Sequence, residues 1–187
     1  MKTTRSTLHT LCALSLLTAM MVLLKMTLSI QTPYFKFNFA SLPIVLAAML
    51  FGPLEGAAVA VLGEFIVQVN GPYGLVPTTF LWIWPPAIRA LVVGSAALWF
   101  RRTGLPLERR PAACCTVCVL GAILTTTGNT VGMWLDSLFY RTSFAPVLFI
   151  TPGRYVTGAV TAVLVAAVCM PLMHLLRRSG ILDAGGR

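Results

Sequence analysis

FLWIWPPAIRALVVGSAALWF, from Phe80 to Phe100, is about as long as a helix must be to cross a hydrocarbon core, and it carries a single charge, Arg89, near its middle. On insertion scales an arginine at that depth costs roughly 2.5 to 3.5 kcal/mol, so such a group is paired inside a bundle or faces a watery cavity. Three other apolar segments also hold a polar or charged residue: Glu64, Asn129 and Arg154. A cavity inside a helical membrane bundle accounts for all four.

The whole composition points the same way. Of 187 residues, 57% are hydrophobic and only 10% charged, and the mean hydropathy is +0.85. This is the signature of a polytopic membrane protein of the all-α class. At about 20 residues per span plus turns, residues 1–187 accommodate one compact bundle of six transmembrane helices and no second domain. A net charge of +9 raises the question of nucleic acid, but the basic residues are divided among loops and termini and form no aromatic-interleaved stripe, so no nucleic-acid partner is expected. Cys12 and Cys169 are isolated within spans, and Cys114, Cys115 and Cys118 crowd the start of another with no His, Asp or Glu nearby. They read as packing thiols rather than a metal or redox site.

The first apolar run, Leu11 to Leu24, follows Lys2 and Arg5 like a signal peptide, but KMTLSIQTPYF after it offers no small-x-small cleavage site. The segment is therefore expected to stay as a first helix, from about Thr7 to Ile30. QTPYFKFNF reads as a loop, and Phe39 to Phe51 as a short second span interrupted by Pro43. Span three, Leu54 to Val69, carries Gly56, Ala60 and Gly63, which permit close helix approach. NGPYGLVPTT is a loop before span four, and RRTGLPLERRP a basic loop after it. Span five runs from Ala113 to about Leu135, DSLFYRTSFAP is a loop, and span six covers Val147 to Leu176, bent or broken at TPGR and at Pro171.

Lys and Arg bias in short flanks sets the orientation. With the amino terminus inside, that side holds Lys2, Arg5, Arg101, Arg102, Arg109, Arg110, Arg177, Arg178 and Arg187. The outer loops hold Lys36 and Arg141, with Lys25 near an outer helix end. Six spans with both termini cytoplasmic follow, and Glu64, Arg89, Asn129 and Arg154 fall at or above the midplane on the outer side.

Helical spacing extends each into a stripe: Glu64 with Gln68; Trp82, Pro86 and Arg89; Thr125, Asn129, Gly132 and Asp136; Thr151, Arg154, Gly158 and Thr161. Two guanidinium groups and one carboxylate in a pocket open to the outside suit a small polar ligand that carries a carboxylate, because Arg grips carboxylates bidentately. Tyr73, Trp82, Trp84 and Trp134 lie near the outer surface, where they can stack on a ring, and the expected ligand contacts are Glu64, Gln68, Tyr73, Thr79, Trp82, Arg89, Asn129 and Arg154. The plainer alternative makes Glu64 a helix-to-helix pair with Arg89 or Arg154 and the Trp and Tyr residues an interfacial belt, with Asp136 and Arg141 as loop charges. Such pairing uses one Arg and leaves the other as a ligand grip. His9 and His174 lie near opposite chain ends, and there is no HExxH, nucleophile elbow or Gly-rich phosphate loop. No enzyme activity and no cofactor are expected, and if the chain transports, the energy comes from elsewhere.

LSIQTPYFKFNFASLPIVLAAMLFGPLEG, then the acid-bearing third span, YGLVPTT and LWIWPPAIRALVVG, together resemble the substrate-binding S component of energy-coupling factor (ECF) vitamin transporters, especially the folate and pantothenate types. The resemblance is strongest over Leu28 to Gly94. It implies a subunit of the bacterial cytoplasmic membrane that captures a vitamin or precursor from outside and works with a transmembrane scaffold and two cytosolic ATPases. The family's first helix commonly carries an AxxxA scaffold contact. Here Ala13 is followed by Leu17, and Ser15 with Ala19 offers a small-xxx-small substitute. Glu64 also stands where many folate-type relatives have Asp. A stand-alone secondary transporter of a small organic anion is the rival reading; the lack of an internal repeat counts against it.

Overall fold

A computed structural model describes residues 2–27, 30–31, 36–37, 39–71, 74–104 and 106–178. Among these residues six α-helices dominate: α1 (Lys2–Thr27), α2 (Ser41–Leu50), α3 (Pro53–Val69), α4 (Thr79–Arg102), α5 (Pro111–Phe139) and α6 (Ala145–Arg178). A 3-10 turn at Leu107–Arg109 precedes α5. The expected loop after α1 contains a two-residue antiparallel ribbon, β1 (Ile30–Gln31) with β2 (Lys36–Phe37), and β2 lies against α6.

Among the described residues four helices are long and apolar enough to span a membrane: Leu8–Thr27, Thr79–Arg102, Pro111–Phe139 and Ala145–Leu176. Their outer faces carry large apolar side chains that a water-soluble protein would bury; Phe149 is 85% exposed and Leu16 71%. Such a surface belongs against lipid.

The second expected span is shorter than a bilayer. Its ten residues rise about 15 Å, half of a hydrocarbon core, and α2 is buried inside the bundle, with Val45, Ala47 and Met49 almost wholly covered. Pro43 does not interrupt it. The ring sits in the first turn, where a backbone N–H has no partner within the helix anyway. The other end of α2 is closed from outside, since Arg101 at the end of α4 donates to the carbonyls of Met49 and Leu50. Arg101, read from sequence as a flank charge, thus caps a buried helix terminus.

Small residues set the spacing between helices. A Cβ on Gly56 would come 2.7 Å from Ala48 Cα, one on Gly94 would come 2.5 Å from Pro53 Cα, and one on Gly63 would strike Met21 Sδ. Gly56 and Gly63 therefore do what span three required of them. Gly52, at φ 135°, makes the turn between α2 and α3 in a region that suits only glycine.

Helix α1 starts earlier and ends sooner than expected, at Lys2 and Thr27, while α4, α5 and α6 outrun their expected limits at both ends. Helix α6 is continuous through Pro152 and Pro171, so of the two outcomes expected at TPGR and Pro171, a bend or a break, the break does not occur. Each ring costs one helical hydrogen bond, which packing against α5 and α2 outweighs. Helix α5 runs on through DSLF to Phe139 and then stops in a Schellman turn. Arg141 takes φ 52°, the Tyr140 N–H donates to Asp136 O at 3.0 Å and the Thr142 N–H to Ser137 O at 2.9 Å. The loop shrinks to Tyr140–Phe144, and Asp136 is a helix residue rather than a loop charge.

Candidate functional site

The stripes read from the sequence converge. At the end of the bundle that carries the α3–α4 loop, all six helices surround a cavity of about 870 Å³. Of the expected ligand contacts, Glu64, Gln68, Trp82, Arg89, Asn129 and Arg154 all line it. Thr79 does not; it is buried, and its hydroxyl accepts the Val76 N–H at 3.0 Å, which fixes the loop to the start of α4 while neighbouring Thr78 lines the cavity. Tyr73 lies outside the described residues. Trp84 and Trp134 face outward, 66% and 47% exposed, in keeping with a lipid-facing belt.

The helices hold the polar groups in two tiers. Arg89 and Arg154 each sit about 14 to 15 Å below the start of their helices. The stem of Arg89 passes Gly121, where a Cβ would lie 3.4 Å from its Cγ, so the missing side chain opens its path across α5. Its Nε donates to Thr125 Oγ1 at 3.3 Å, and Thr125 in turn donates to Gly121 O at 2.7 Å. Arg154 rests against Met133 Sδ. Thr126, Thr157 and Thr161 also line the cavity and donate to carbonyls of their own helices, which satisfies their hydroxyls without drawing on either guanidinium.

Nearer the loops, Glu64 is only 3% exposed and forms an ion pair with Lys25 of α1, which is 25% exposed. Gln68 Nε2 donates to the other oxygen of Glu64 at 3.2 Å. This pair settles a question the sequence left open: Glu64 pairs with neither arginine. Among the described residues no carboxylate stands within ion-pair distance of Arg89 or Arg154. Lys25, read from sequence as a charge near an outer helix end, is a wall residue of the cavity; its only sequence signal was the late break in the first apolar run.

Sequence reasoning also missed Ser41 at the start of α2, and it carried Asp136 on the α5 stripe without assigning it a contact. Both line the cavity. The scaffold candidates Ser15 and Ala19 lie on the exposed side of α1, away from the bundle, with the Ser15 hydroxyl donating to Leu11 O at 2.9 Å.

A helical membrane bundle that encloses a charged, ligand-sized cavity near one end is the architecture of a membrane-embedded binding protein. Residues 5–178 match the family model of the ECF-type riboflavin transporter S component, and the chain belongs to that family. Its members are transport components that bind a vitamin, not enzymes. Solved structures share the fold. A crystal structure of the S component for biotin from an ECF-type ABC transporter superposes with a TM-score of 0.67 at 14% identity, over 91% of this chain and 93% of that one. The S component of a bacterial ECF transporter gives 0.62 at 17% identity, over 90% and 95%. FolT bound with folic acid gives 0.60 at 16% identity, over 84% and 92%. No curated protein matches the sequence.

Proposed function

We propose that this S component takes from the outer face a vitamin that carries both a ring and a carboxylate, folate-like in character. It hands that cargo inward with a transmembrane scaffold and two cytosolic ATPases in the bacterial cytoplasmic membrane. Six membrane-embedded helices with both termini cytoplasmic form part of the same proposal. The observation that carries the ligand class is the pair Arg89 and Arg154, both on the cavity wall, while the buried carboxylate of Glu64 is held by Lys25. Two guanidinium groups kept at such cost in the bilayer's depth are matched to a carboxylate, which each can grip through paired N–H donors.

Size narrows the choice. A cavity of about 870 Å³ is near the upper end of the roughly 300 to 1,000 Å³ typical of small-molecule sites. That suits a ring system with a side chain better than pantothenate alone, and Trp82 offers the ring an aromatic wall. Riboflavin is the second reading, favoured by the family model's description. It has no carboxylate, so it would leave both guanidiniums to neutral acceptors.

Calorimetric titration of folic acid, pantothenate and riboflavin into the purified protein tests the choice. Folic acid should bind, and Arg89→Ala should weaken it roughly ten- to hundredfold, the worth of one charge-assisted hydrogen bond. Riboflavin binding that survives Arg89→Ala would replace the carboxylate reading. For the partners, replacing Ser15 and Ala19 together by Leu should block uptake in cells by excluding a closely packed scaffold helix, while binding by the solitary protein persists. Full uptake by the double variant, or in a host lacking scaffold and ATPases, would favour a secondary transporter of a small organic anion.

A further inference from the structure

Among the described residues two buried side-chain polar atoms find no hydrogen-bond partner, Ser41 Oγ and Asp136 Oδ1, and both residues line the cavity. An unsatisfied buried carboxylate oxygen is costly, and native folds rarely keep one without a reason. The position adds to the cost. Asp136 stands in the last turn of α5, where the carbonyl ends of the helix already concentrate negative charge and a cation would be favoured. No ion pair to Asp136 offsets this among the described residues. Neighbouring groups do not consume it either: the Tyr140 N–H donates to the backbone carbonyl of Asp136, and the Ser137 hydroxyl donates to Trp134 O at 2.7 Å.

The carboxylate also sits apart from the guanidinium tier. Along α5 it is seven residues, about 10 Å, nearer the loops than Asn129. It is an acceptor-only group, so what it calls for is a donor.

We infer that Asp136 is a specificity-determining residue that accepts hydrogen bonds from N–H or O–H groups of the ligand, with Ser41 as a second polar contact on the α2 side. The cargo then carries a donor-bearing edge, an amino-substituted heteroaromatic ring or a polyol, toward the loops and away from the group held by Arg89. This rests on the cavity being the binding site proposed above, but not on the cargo having a carboxylate. Rotation about the soft terminal torsion of Asp136 presents either oxygen to such an edge.

Folic acid and riboflavin, each with N–H or O–H donors but only one with carboxylates, are the probes, titrated by calorimetry into the full chain and its Asp136→Asn, Asp136→Glu and Arg89→Ala variants. Whichever probe the wild type binds should weaken roughly ten- to hundredfold in Asp136→Asn and by less in Asp136→Glu, which keeps the charge. Unchanged affinity in Asp136→Asn overturns the inference, as does an equal loss in both Asp136 variants, since shape rather than charge would then govern. Riboflavin bound, weakened by Asp136→Asn and indifferent to Arg89→Ala, would sink the carboxylate reading and keep this one. Folic acid weakened by Arg89→Ala alone would do the reverse. Binding of neither probe by the wild type overturns the inference, because both carry such an edge.

Discussion

The two ends of this bundle use the same helices under opposite packing rules. Toward the α2–α3 turn the chain is close-packed with small side chains: Gly56 on Ala48, Gly94 on Pro53, and Cys114, Ala166, Cys169 and Met173 without exposed surface. Toward the α3–α4 loop the helices part around a cavity that collects Lys25, Glu64, Arg89, Asp136 and Arg154. Small residues bring backbones together where nothing must be held, and the charges within the bundle gather where it is hollow. The dense end is the rigid base from which the hollow end presents its charges.

If that division is right, damage at the dense end unfolds the protein, while damage at the hollow end costs binding. The largest effect is expected at Gly94. A Cβ there meets the Pro53 backbone, which cannot yield as a flexible side chain would. Gly94→Val should destabilise by about 3 kcal/mol, lowering Tm by roughly 6 to 12 °C in detergent melts. An unshifted melting curve would show the dense end to be looser than its spacing implies.

Next comes the ion pair at the hollow end, where removing one partner strands a buried charge and so reaches stability as well as binding. Lys25→Met leaves Glu64 buried without its counter-charge and should cost about 2 to 3 kcal/mol, at the low end for a broken buried pair because Lys25 is partly exposed. Lys25→Met combined with Glu64→Gln should recover most of that loss in the same melts. Failure to recover would mean that Lys25 acts through other contacts.

Arg154→Ala should spare the melting temperature and weaken folic acid binding roughly tenfold or more. A drop in Tm without a drop in affinity would turn this arginine into a structural strut. The smallest effect concerns the loop over the cavity, where Gly74, Val76 and Thr78 already form part of the wall. Saturating ligand should slow amide exchange across residues 70–79, and across 31–38, by a few-fold. Equal exchange with and without ligand would show that neither segment closes.

The sequence carried the hollow end better than its pairing. Periodicity of 3.6 placed Trp82, Pro86 and Arg89 on one face, and Thr125 with Asn129 on another, because each stripe lies within one helix, where spacing dictates direction. Lys25 with Glu64 was illegible for the complementary reason. The partners are 39 positions apart, and nothing local says which two helices meet. Asp136 was misjudged as a loop charge because Asp and Ser after Leu135 resemble a helix end, whereas the stop comes at Arg141 through backbone geometry. Pro152 and Pro171 left a bend and a break both open, and the break does not occur because packing along the length of α6 overrides a lost hydrogen bond. Ser41 gave no signal at all; its importance lies in being buried without a partner.

The most direct test of the carboxylate-binding cavity is native mass spectrometry of the wild type and Arg89→Ala, each purified from cells grown with folic acid. One folate-sized adduct per chain is expected on the wild type and its loss from the variant. An empty wild type, or the same adduct on both proteins, would contradict a carboxylate held by Arg89.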